Sequence, residues 1–103
     1  MLYHEFKEWL EENASGYQVF MEKATEFQLM KNKGRSGKAK WSDRKVDNAI
    51  LSMWERVVAA AYEQIKAQKG VPKYNSNQIW LDFMEQNNFL ESFNEGASET
   101  EFE

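Results

Sequence analysis

Apolar side chains recur three and four positions apart along most of this chain, and no stretch alternates convincingly between apolar and polar residues, so the pattern predicts helices throughout. The fold class expected is all-α, a small bundle of four helices over about 2–12, 16–32, 43–68 and 76–87 or beyond. In the first, Leu2, Tyr3, Phe6, Trp9 and Leu10 share one face while Glu5, Glu8, Glu11 and Glu12 turn mostly to water. Ser15 with Gln18 three positions later has the spacing of a capping box, and Tyr17, Phe20, Met21, Ala24, Phe27 and Met30 then form the inward stripe of the second helix.

The third helix is the longest. Ser42 and Asp43 cap its start, and Lys66, Lys69, Gly70 and Pro72 mark its end. It bears two apolar stripes, one through Val46, Ile50, Met53, Val57 and Ala60, the other through Leu51, Trp54, Val58, Ala61 and Ile65. A helix apolar on that much of its circumference must be covered from more than one side, which places it centrally. Asn75 or Ser76 caps a fourth helix carrying Ile79, Trp80, Phe83 and Met84, and Phe89, Leu90 and Phe93 either prolong it or form a separate turn. Residues 1–95 read as one helical domain and residues 96–103 as a disordered acidic tail, with Phe102 alone among glutamates.

Composition narrows this picture. Leu, Ile, Val and Phe make up 21 of the 103 residues, close to the level of about 20% below which disorder becomes the default. The fifteen aromatic residues shift the balance back, because each buried ring removes about 150–250 Å² from water. With no cysteine and one histidine, His4, the chain has no thiolate nucleophile, disulfide, Cys-ligated zinc or His-rich metal site. The glutamate-rich helices lack the Glu-x-x-His pairs of a carboxylate metal centre, and no carboxyl pair is marked out for acid–base work. No cofactor, metal or catalytic residue is therefore expected. No run is long and apolar enough to span a membrane and the start lacks the pattern of a targeting segment, so a cytoplasmic protein with no membrane partner is expected, as a monomer or homodimer.

Charge then singles out one segment. The net charge of -4 conceals seven positive side chains against one negative over residues 31–45, a local +6, set between acidic ends that sum to -4 over residues 1–30 and -7 over residues 75–103. Residues 31–41 have the glycines and charges of a basic loop. Its glycines lack the spacing of a nucleotide loop and follow a helix instead of a strand. Lys31, Lys33, Arg35, Lys38, Lys40, Trp41, Arg44 and Lys45 are the candidate contact residues, for phosphates or for an acidic partner, with Trp41 able to stack on an unpaired base. The structural alternative pairs these cations with the acidic first helix or the tail and uses Trp41 to staple the helix start. The function expected is a non-enzymatic helical binding module, an adaptor or regulatory accessory protein acting on a protein partner. A DNA- or RNA-associated accessory protein binding phosphates through residues 31–45 is the alternative.

Overall fold

The computed structural model describes residues 1–102. Among them the chain forms five α-helices and no strand: α1 (Tyr3–Asn13), α2 (Ser15–Lys33), α3 (Asp43–Lys69), α4 (Ser76–Gln86) and α5 (Phe89–Glu99), with a short 3-10 turn at Gly37–Ala39. The expected count of four becomes five because Asn88 takes a left-handed conformation, φ 51°, which breaks the chain between α4 and α5. Asparagine adopts that conformation more readily than other side-chain-bearing residues.

Local signals set some boundaries as expected and others differently. The Ser42 hydroxyl accepts from the Lys45 amide at 3.2 Å, and Gly70 at φ 61° ends α3. Ser15 is not a cap: α1 and α2 are separated by Ala14 alone, whose extended backbone starts α2 without any side-chain capping bond. Gln18 donates along the helix to Glu22 instead. Asn75 adopts φ 56° and starts α4 through backbone geometry, again without a side-chain cap.

The two stripes expected on α3 lie about 100° apart on a helix of 3.6 residues per turn. The buried residues are Val46 and Ile50 from the first stripe, Trp54, Val58 and Ile65 from the second, and Tyr62, which was on neither. Each step of four residues advances about 40° around the helix, so the line from Val46 to Tyr62 winds by about 160° and crosses from one stripe to the other. Hence Leu51, early on the second stripe, is 52% exposed, and Ala60, late on the first, is also exposed. The same drift along α2 buries Gly16, Phe20, Ala24, Gln28 and Asn32 and leaves Met30 67% exposed.

The core is aromatic. Phe6 lies 5.9 Å from Trp80 and 5.8 Å from Tyr62, while Trp54 is ringed by Tyr17, Phe20 and Phe93 at 4.8–5.9 Å between centroids. Buried Trp80 donates its indole N–H to the Gly70 carbonyl at 2.9 Å, tying α4 to the end of α3.

The segment expected as a disordered tail over 96–103 is ordered through residue 102. Its first four residues belong to α5, Ala97 is buried, and the Phe102 ring sits 5.5 Å from Phe20 and 5.4 Å from Phe27. Lys23 donates to the carbonyls of Ser98 and Thr100, satisfying groups that a helix end would otherwise expose. The acidic composition that suggested disorder belongs to the outward face only. Glu103 lies outside the described residues.

These contacts run α5 alongside the first part of α2, from Gly16, whose amide donates to Asn94 Oδ1 at 2.7 Å, to Phe27. Beyond Phe27, α2 is held by α3 and the connecting turn. The molecule measures 54 × 25 × 21 Å with a radius of gyration of 16.1 Å, well above the ~13 Å of a compact chain of this length. Its elongation follows from the helical hairpin of α2 and α3, whose tip carries the basic segment.

Candidate contact surface at the hairpin tip

The eight residues singled out by charge meet at this tip. Lys31 and Lys33 occupy the last turn of α2, Arg35, Lys38, Lys40 and Trp41 the connection, and Arg44 and Lys45 the first turn of α3. Six of the seven cations are exposed, while Arg35 and Trp41 are half-buried. Among the described residues both ion pairs involve Lys7, bonded to Glu11 at 3.9 Å and to Glu55 at 2.6 Å. Neutralisation of the basic segment by the acidic first helix or the C-terminal residues is therefore not seen among those residues.

The tip is shaped by a residue that charge did not identify. Asn32, 8% exposed, donates from Nδ2 to the Trp41 carbonyl at 3.0 Å and accepts the Trp41 amide on Oδ1 at 2.8 Å. One side-chain amide thus pairs with both backbone groups of Trp41 and closes the connection. Arg35 reaches the same Oδ1 at 3.4 Å. Only the recurrence of Gly16, Phe20, Ala24, Gln28 and Asn32 at steps of four could have shown that this polar side chain faces inward.

Trp41 does not present a bare ring. The Arg35 guanidinium lies 3.8 Å from its centroid and the Lys45 ammonium 4.7 Å, within the range of cation–π attraction. Lys31 similarly covers Phe27 at 5.3 Å. Lys33, Lys38, Lys40 and Arg44 have no such partner among the described contacts.

Helix dipoles distinguish the two sides of the tip. Lys31 and Lys33 lie at the negative end of α2, where cations are stabilised. Arg44 and Lys45 stand in the first turn of α3, at its positive end, where cations are disfavoured and only Asp43 offsets them. Stability alone would not place them there.

The other polar cluster is a brace between α1 and α3. Tyr3 donates its hydroxyl to Glu55 Oε2 at 2.5 Å, beside the Lys7–Glu55 pair. Burial, then the Glu55 carboxylate, pushes the Tyr3 phenol up to about 12, while Lys7 and Tyr3 hold Glu55 below the ordinary carboxylate range. Trp54 and Trp80 are core residues, and Trp9 is half-buried, stacked near Phe6 at 6.3 Å.

Among the described residues no group of three or more His, Asp or Glu side chains is placed to hold a metal ion, and no helix is long and apolar enough to cross a membrane. No protein-family model, curated protein or solved structure matches the chain.

Proposed function

We propose that this protein is a non-enzymatic helical binding module whose basic hairpin tip docks onto an acidic surface of a protein partner. The observation that carries this reading is the set of exposed cations at the tip without carboxylate partners among the described residues, two of them placed against the dipole of α3. Lys33, Lys38, Lys40 and Arg44 supply the contact. Arg35 and Lys45 shield Trp41, and the Asn32 amide sets the backbone of the connection, so little ordering remains to be done on binding.

A protein partner fits better than an extended polyanion. Duplex DNA carries a charge about every 1.7 Å along its axis, far more negative charge than the tip's seven cations match. The rest of the chain repels a polyanion on balance, at -4 over residues 1–30, +1 over residues 46–74 and -7 over residues 75–103. An acidic patch of limited extent meets the tip without that repulsion. Trp41, already covered by two cations, is poorly placed to stack on a base.

The test is fluorescence anisotropy with a labelled Glu-rich peptide, a labelled duplex and a labelled single strand at low and moderate salt. The peptide should bind wild type with an affinity that falls as salt rises, and a variant with Lys33, Lys38, Lys40 and Arg44 changed to Gln should lose that binding. Duplex binding tighter than peptide binding would favour the DNA- or RNA-associated alternative. No peptide binding at low salt would overturn the proposal.

A further inference from the structure

Away from the tip, α2, α3, α5 and the residues after α5 line an open cleft of about 520 Å³. Its walls are Phe20, Met53, Val57, Phe93 and Phe102, and among the described residues its one charged lining residue is Arg56. Small-molecule sites commonly have volumes of about 300–1,000 Å³, with apolar walls and few polar groups.

Two features distinguish this cleft from a packing gap. The first is Gly96, in α5. Glycine inside a helix is less stable than alanine, so packing or conformation can be what requires it. Gly16 on α2 has such a need, because a Cβ there would come within 2.8 Å of Asn94 Oδ1. Gly96 has none: a Cβ would meet no atom within 4 Å, and its φ is not positive. It lines the cleft, with open space where a Cβ would stand.

The second feature is the charge balance at the rim. The carbonyls at the end of α5 are already engaged, those of Glu95 and Gly96 by the Ser98 and Thr100 hydroxyls and those of Ser98 and Thr100 by Lys23. Glu55, next to Arg56 in sequence, is committed to Lys7 and Tyr3. Arg56 is exposed, and the ion pairs among the described residues do not include it. Its guanidinium presents planar donors suited to a carboxylate.

We propose that this cleft binds an apolar monocarboxylate, its hydrocarbon body among the phenylalanines and its carboxylate on Arg56. Trp54, packed behind Phe20 and Phe93 at 5.5 and 5.9 Å, reports on occupancy.

Decanoate, below its micelle-forming concentration, and decanol are the probes, followed by tryptophan fluorescence and calorimetry on the full chain at neutral pH. Decanoate should bind one-to-one and about fivefold more tightly than decanol, the span of one partly exposed ion pair. Arg56→Gln should abolish that preference, bringing decanoate to the affinity of decanol. Gly96→Leu should weaken both ligands at least tenfold. Because a leucine there could disturb α5, magnetisation transfer from the decanoate chain to Val57 and Phe93 in the wild type gives a check independent of any variant. Absence of decanoate binding, retention of the preference in Arg56→Gln, or transfer to residues outside the cleft would overturn the proposal. The tip-neutralised variant should bind decanoate like wild type, so this result stands or falls apart from the tip's role.

Discussion

Replacing Asn32 with leucine tests how the basic tip is held. The change is nearly isosteric and removes both hydrogen bonds to the Trp41 backbone, at 2.8 and 3.0 Å, together with the contact to Arg35. A net loss of about 0.5–1.5 kcal/mol per hydrogen bond gives about 2 kcal/mol for the pair. The larger penalty of a fully stranded peptide group does not apply, since Trp41 is half-exposed and water reaches part of it. For a domain of this size that loss lowers Tm by about 8–16 °C if the tip unfolds with the rest. If the tip opens locally instead, Tm changes less and the Trp41 amide loses about thirtyfold of its hydrogen-exchange protection. Asn32→Asp keeps the acceptor for the Trp41 amide but sets a carboxylate oxygen against the Trp41 carbonyl, so at neutral pH it should cost at least as much as leucine. Denaturation together with residue-resolved exchange distinguishes these cases. If Asn32→Leu stays within 0.5 kcal/mol of wild type and Trp41 protection is unchanged, the amide is not what fixes the tip.

Two glycines should respond in opposite directions. Gly16→Ala drives a methyl into Asn94 and Ala97 and should destabilise by about 1–3 kcal/mol, whereas Gly96→Ala should stabilise by about 0.5–1 kcal/mol, both measured by urea unfolding. The raised phenol of Tyr3 favours its neutral form in the folded state, so its contribution is complete below pH 10 and lost as pH rises toward about 12. Tyr3→Phe should flatten part of the alkaline loss of stability; the Tyr62 phenol, pushed up by burial, and the Lys7 ammonium, held up by Glu55, also contribute to it, and an unchanged alkaline profile would count against the Tyr3–Glu55 brace.

The helices were legible because apolar spacing records them directly, and the tip was legible because seven positive side chains crowd one segment of an acidic chain. Burial was harder to place. Stripes read as straight drift around the helix, so Leu51 on α3 and Met30 on α2 lie on the surface while Gln28 and Asn32 on α2 are covered. Polar identity hid the two amides, although their spacing continues the line from Gly16 to Ala24. The C-terminal segment was misjudged for the converse reason, because average composition outweighed a single aromatic, Phe102, that has two phenylalanines waiting for it. Nothing local to Asn88 required a second helix there; its left-handed backbone accompanies the packing of α5 on α2. Arg56 and Gly96 stood out to neither charge nor periodicity, since what relates them is a cleft between distant parts of the chain.

The most direct test of the basic tip as a docking surface is a residue-resolved NMR titration of the labelled protein with the Glu-rich peptide. Shifts should concentrate in residues 31–45, strongest at Lys33, Lys38, Lys40 and Arg44, and should collapse as salt is raised. Shifts centred on α1, α4 or the cleft beside Arg56, with the tip unmoved, would contradict the account.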